Sequence, residues 1–167
     1  TGGSNTALGH CAMLMNTDGF GNTGISYKAL CANTTGDGNN AIGICALKSN
    51  IDGCHNNALG CQTLYTNTSG HYNTAIGYQA LYSNTTGCYN AAIGCGALRA
   101  NTTGGCNFAV GQYALYGNTT GTNNAALGYG ALQNNEGHYN NAIGYLTLNA
   151  NTAGCYNNAI GNLALFK

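Results

Sequence analysis

The chain has very little charge. Its 167 residues include four Lys and Arg and four Asp and Glu, for a formal net charge of zero. Nucleic acids and anionic membranes are held through clusters of Lys and Arg, so both are poor partners for this sequence. The four acids, Asp18, Asp37, Asp52 and Glu136, are widely spread, which argues against the paired carboxylates of acid–base hydrolysis. No signal peptide, membrane-spanning run or basic tail is visible, so membrane insertion is not expected. Proline is absent, and the chain does not begin with Met, as expected of a processed chain or a fragment.

Asn, Gly, Thr, Ala and Tyr are abundant, and they recur in order. Residues 84–100 read NTTGCYNAAIGCGALRA, and residues 101–117 read NTTGGCNFAVGQYALYG. The same unit runs through the whole chain in ten copies, the first lacking its two leading residues. The register places one missing residue after Gln133, with the ninth copy starting at Asn134. Columns are numbered here from the leading Asn. Column four is Gly in all ten copies, and column eleven is Gly except at Ser26. Column seven is Asn throughout: Asn5, Asn22, Asn39, Asn56, Asn73, Asn90, Asn107, Asn124, Asn140 and Asn157. Column nine is Ala except at Gly24, column ten is Ile, Leu or Val, and columns fourteen and fifteen are Ala or Thr, then Leu or Met.

Two glycines per unit mark backbone that needs positive φ or a close approach. A helix with that much Gly and Asn would be weak, and helical repeats use units of about 33 residues or more. Short strands between Gly and Asn corners fit better. One unit has too few apolar side chains for a core, but stacked units supply continuous rows. Ile76, Ile93 and Val110 are expected to form one apolar ladder, and Leu81, Leu98 and Leu115 another. The column-seven asparagines suit a turn ladder, each amide bonding backbone and the amides above and below. The expected fold is all-β, a parallel β-solenoid (β-roll or β-helix) of ten roughly 17-residue coils, forming a single repeat domain over residues 1–167. At about 4.8 Å per strand it would stand roughly 45–50 Å tall. The repeat leaves handedness open.

The core N-x-A-I-G-x-x-A-L, as in NTAIGYQAL from Asn73 to Leu81 and NNAIGYLTL from Asn140 to Leu148, resembles the SVAIGxxA-type repeat in the heads of bacterial trimeric autotransporter adhesins. The longer NTTGxxNxAIGxxAL form resembles repeats of phage tail-fibre-like and other bacterial surface fibre proteins. The resemblance covers the whole chain. It implies a left-handed parallel β-roll, a trimeric assembly and a role at the cell surface.

Candidate chemistry is sparse. The glycines follow the solenoid period rather than a strand-to-helix phosphate loop, so no cofactor is read from them. Cys54, His71 and Cys88 share column five on successive coils, with His55 and Cys106 one column away. Coils about 5 Å apart make them a candidate for Zn²⁺ ligation. His138 and Cys155 repeat a shorter version. Disulfides between adjacent coils satisfy the Cα separation a bridge needs, and the nearest candidates are Cys45 with Cys61 and Cys88 with Cys106. Nine cysteines leave at least one thiol over. The tyrosines fall mostly in three variable columns, read as outward-facing: Tyr72, Tyr89, Tyr139 and Tyr156 in column six, Tyr78 in column twelve, Tyr82 and Tyr116 in column sixteen. They read either as stacked aromatics stiffening the surface or as contacts to neighbouring subunits or a target. NTT and NTS at Asn33, Asn67, Asn84, Asn101 and Asn118 are formal glycosylation sequons that arise from the repeat.

These features point to a non-enzymatic structural subunit of an extracellular or cell-surface fibre. Its partners would be itself, as a head-to-tail filament or a homotrimer, and a surface receptor or glycan. The chain opens at column three and closes at column seventeen, so Lys167 of one copy meeting Thr1 of the next would continue the ladders. An ice-binding solenoid and a phage tail-fibre receptor-binding segment are the alternatives. An ice-binding face should be flat and regular. Column two is mostly Thr, but column eight alternates irregularly among Thr, Asn, Ala and Phe.

Overall fold

The computed structural model describes residues 2–166; Thr1 and Lys167, and with them the expected end-to-end contact, lie outside the described residues. The elements are ten three-residue strands: β1 (Thr6–Leu8), β2 (Thr23–Ile25), β3 (Asn40–Ile42), β4 (Asn57–Leu59), β5 (Thr74–Ile76), β6 (Ala91–Ile93), β7 (Phe108–Val110), β8 (Ala125–Leu127), β9 (Asn141–Ile143) and β10 (Asn158–Ile160). They form one parallel sheet in sequence order. Each residue pairs with its own column in the next coil, as in Thr74 with Ala91, Ala75 with Ala92 and Ile76 with Ile93. The chain is thus a parallel β-solenoid, and no helix occurs among the described residues.

Period-two alternation decides which strand residues form the core. The central Ala of each strand points inward, and Ala41, Ala75, Ala92, Ala109, Ala126 and Ala142 are fully buried. The residues on either side must therefore face out. The expected Ile ladder forms, Ile76 pairing with Ile93 and Ile93 with Val110, but on the outer face instead of in the core: Ile76 is 37% and Ile93 39% exposed, and Val110 is half-buried. The second apolar ladder is the core. Leu30, Leu47, Leu64, Leu81, Leu98, Leu115 and Leu132 in column fifteen have no exposure, and the Ala or Thr of column fourteen packs beside them.

The corners explain why these two apolar rows differ in residue type. In one coil, His55, Gln62 and Leu64 have φ of 56°, 58° and 48°, and the same left-handed conformation recurs at columns six, thirteen and fifteen along the chain. That conformation is particularly unfavourable for β-branched side chains. No Val, Ile or Thr occupies any of the three columns, whereas the extended column ten is mostly Ile. Left-handed geometry costs an L-residue roughly 1–2 kcal/mol, and full burial of a Leu side chain returns about 1.5–3 kcal/mol. Burial outweighs the strain at column fifteen.

The two glycine columns meet different needs. At column eleven Gly43 has φ of 138°. At column four φ is not positive, and the need is space: a Cβ on Gly53 would lie 2.5 Å from the carbonyl oxygen of Gly70 in the next coil.

Leu98→Ile preserves volume and hydrophobicity, yet it is expected to lose about 1–3 kcal/mol through forced strain. Ile93→Leu, on the outer face, is expected to cost less than about 1 kcal/mol. Denaturant unfolding of both variants under conditions that keep the chain monomeric checks the pair.

Candidate functional site: the asparagine ladders and the outer columns

Column seven forms the expected ladder. Asn90 donates its backbone N–H to Asn73 Oδ1 at 3.0 Å, and Asn107 does the same to Asn90 Oδ1 at 3.0 Å. The side-chain amides also run between coils, Asn90 Nδ2 to Asn73 Oδ1 at 3.2 Å. A second ladder, which the column-seven reading missed, runs along column one. Asn50 Nδ2 donates to Asn33 Oδ1 at 2.7 Å, and Asn67 Nδ2 to Asn50 Oδ1 at 2.8 Å. The signal was present, since column one is invariant within the chain.

The two ladders meet at the column-four glycine. Gly70 O accepts Asn67 Nδ2 from its own coil at 3.0 Å and Asn56 Nδ2 from the preceding coil at 2.8 Å. Interior coils repeat this junction, and its asparagines are buried. Every buried side-chain nitrogen and oxygen among the described residues has a partner. The column-one positions include all five sequons, and Asn33, Asn67, Asn84, Asn101 and Asn118 have no exposure. The folded solenoid therefore closes them to glycosylation.

The register slip lies elsewhere than the sequence suggested. Asn135, not Asn134, takes the buried column-one place, donating to Gly137 O at 2.9 Å and accepting from Asn151 Nδ2 at 2.7 Å. The eighth coil is complete and the ninth lacks one residue in its corner. In other coils a column-two carbonyl collects the preceding corner: Thr102 O accepts the N–H groups of Thr85, Thr86 and Gly87 at 2.9–3.3 Å. In the short coil the Glu136 carboxylate does this work. It accepts Thr119 N at 3.1 Å, Thr120 N at 3.3 Å and Thr119 Oγ1 at 2.8 Å.

The Asp, Cys and His side chains of column five act as acceptors. Cys54 Sγ accepts Asp37 N at 3.4 Å, His71 Nδ1 accepts Cys54 N at 2.9 Å, and Cys88 Sγ accepts His71 N at 3.3 Å. Asp37 and Cys155 play the same part for Phe20 and His138. Each side chain caps the backbone N–H one coil back. The lone pairs of Cys54, His71 and Cys88 therefore run along the axis instead of converging, and no metal-holding group of three His, Cys, Asp or Glu exists among the described residues. Cys45 with Cys61 and Cys88 with Cys106 are not bonded, and all nine thiols are free. Cys88 is turned towards the His71 N–H while Cys106, in the left-handed column, is exposed.

The tyrosines stack. Tyr72 and Tyr89 lie 5.1 Å apart and nearly parallel, with His55 on the other face of Tyr72, and Tyr139 and Tyr156 stack at 5.0 Å. Tyr78 is exposed. In column sixteen the half-buried Tyr82 stacks on Tyr65 at 5.1 Å. Two cations complete that row, which the tyrosine pattern alone missed. Lys48 Nζ sits 4.9 Å from the Tyr65 ring, and Arg99 lies 5.2 Å from Tyr82 and 5.7 Å from Tyr116. Lys48 also donates to the Tyr65 hydroxyl at 2.9 Å, and that bond holds its pKa above the usual lysine value. The rings of each pair face one another along the axis.

No protein-family model, curated protein or solved structure matches the chain.

Asn73→Ala removes the acceptor for Asn90 N and one of the two amides on Gly87 O. At about 1–3 kcal/mol for each buried group left unsatisfied, a loss of roughly 2–4 kcal/mol in denaturant unfolding is expected. Asn73→Asp sets a carboxylate against the Gly87 carbonyl and Asn56 Oδ1. The folded state then favours the protonated acid, so the introduced group titrates above its unfolded value of about 3.9. Stability of this variant falls as pH rises above about 4, which unfolding at pH 4 and pH 7 beside the parent measures. Glu136→Ala strips the acceptor from Thr119 N and Thr120 N and is expected to cost about 1–3 kcal/mol. Inserting one Thr between Asn135 and Glu136 to restore the carbonyl reverses that loss.

Proposed function

We propose that the chain is a stiff structural segment of an extracellular fibre or filament, self-assembling by coil stacking, lateral packing or both, and touching other surfaces through its outward columns. The observation that carries this reading is axial continuity. The leucine core and the column-one ladder pass through the irregular ninth coil, and column seven continues there by its backbone N–H bonds, Asn140 N to Asn124 Oδ1 and Asn157 N to Asn140 Oδ1 at 2.9 Å, while Asn140 Nδ2 turns to Asn135 Oδ1. Each coil binds its neighbours by the same set of contacts, so length adds stability in equal increments. A molecule built this way resists bending and separation along one axis. The extracellular setting draws its support from the resemblance to adhesin and tail-fibre repeats; the unpaired cysteines add none.

An ice-binding role is the second reading. In its favour, the outer sheet face is uncharged and regularly spaced. Against it, the column-two Thr hydroxyls donate to the stack, as Thr68 Oγ1 does to Thr85 O at 3.1 Å. That row already uses its hydroxyl donors internally.

Light scattering and negative-stain microscopy of the purified chain test the proposal. Rods exceeding one chain in length or width are expected, growing in number with concentration. A monodisperse single-chain species at every concentration, with thermal hysteresis in the same sample, would replace the fibre with the ice-binding reading.

A further inference from the structure

The outer face of the sheet carries two rows, columns eight and ten. Column ten is a continuous apolar row in which Ile42, Leu59, Ile93, Leu127 and Ile143 are each about two-fifths exposed or more. Contiguous apolar surface of this kind marks a binding face, whereas isolated exposed hydrophobics do not. Neither row contains a charged residue in any coil, so a partner surface that fits it is uncharged too.

Column eight says which surface that is. From β3 to β10 it reads Asn40, Asn57, Thr74, Ala91, Phe108, Ala125, Asn141, Asn158. Read backwards about a point midway between β6 and β7, its two ends match, asparagine on asparagine, and its middle sets large against small. Consider a second copy laid face to face, its axis reversed by a two-fold running along the strands. Asn40 and Asn57 then meet Asn158 and Asn141, Thr74 meets Ala125, and Phe108 meets Ala91. Row ten meets row ten, with Ile93 opposite Val110. The single Phe of column eight faces one of its only two Ala residues, and the four asparagines face asparagines. With the axes parallel, strand direction reverses instead, and column eight faces column ten. That sets the four asparagines against Ile and Leu, leaving amides unpaired in an apolar contact.

The local geometry agrees with the reversed pairing. Asn40 Nδ2 bonds Asn57 Oδ1 at 3.0 Å, and Asn141 Nδ2 bonds Asn158 Oδ1 at 2.8 Å. Each pair leaves an amide oxygen and an amide nitrogen for an opposing pair. Two shallow depressions lie on this face, of about 240 Å³ around Leu59 and Ile76 and about 350 Å³ between Phe108 and Ile143. The two-fold sets one against the other. We propose that this face binds a second copy of the chain in an antiparallel, two-fold pair centred between β6 and β7. The proposal rests on the self-assembly reading above and names its lateral contact. The overlapping strip spans eight strands, about 38 Å by 10 Å, or roughly 380 Å² in flat projection per copy. That is below a standard stable interface of about 800 Å² per partner, so the pair is reversible and concentration-dependent.

Sedimentation velocity on the parent and on charge variants tests the pairing. The parent chain shows a reversible monomer–dimer step. I93K and V110E each carry an unpaired charge into the contact, and each raises the dissociation constant roughly 100-fold or more. Mixed in equal amounts they pair again, because the two new charges meet only across the reversed two-fold. Circular dichroism like the parent's shows both variants folded. Dimerisation of I93K as strong as the parent's overturns the proposal. So does recovery on mixing I93K with A91E instead, which would signal the parallel arrangement. Micrographs keep the two readings apart: rods of unchanged width in I93K remove this face and leave the fibre standing.

Discussion

The structure depends on one junction, the column-four glycine carbonyl that accepts two asparagine amides from adjacent coils. Gly70 O with Asn67 and Asn56 is typical. A narrow solenoid corner leaves backbone polar groups inside, away from water, and each must find a partner. Two buried asparagines per coil provide donors and acceptors in the axial direction. The close approach of glycines in successive coils allows no Cβ. Gly and Asn are therefore one device, and both columns of Asn follow from it.

Stacking this device makes the coil a unit that cannot stand alone. The core is one Leu and two small residues deep, too thin to order a single turn. What orders it is the neighbour on each side. The columns around that core then take residues by what they must offer along the axis. At column five Asp, Cys and His interchange because each offers an acceptor to the N–H one coil back. Column sixteen offers tyrosine ring faces and hydroxyls along the axis, so the cations Lys48 and Arg99 fit among them. The Cys and His positions that read as metal or redox chemistry in the alphabet of residues hydrogen-bond and stack along the axis in the folded chain.

The fold was legible because register holds over ten copies, and a period of seventeen with Gly, Asn and short apolar runs has few solutions. The seventh-column ladder was legible for the same reason. The fate of the Ile row was not: hydrophobicity alone marked Ile76 and Leu81 as equals, and only backbone conformation separates them. A distinction was present in residue type, since Leu and Met alone occupy column fifteen, and it becomes readable once left-handed φ is known to exclude branching at Cβ. The slip at Asn135 was hidden because two asparagines stand side by side, and only burial tells which one belongs to the ladder.

Near-identity of the coils also bears on how the chain reaches this state. If every turn matched every other, a growing stack could accept the wrong turn, looping out seventeen residues and losing only one turn's contacts. Misthreaded forms would lie close in energy to the correct one and trap the chain. The shortened corner at Glu136 and the bulky Phe108 between two alanines break that degeneracy near the C-terminal end. They act as index marks, and the four turns from β7 to β10 form the stretch where correct threading is most strongly distinguished from its shifted copies.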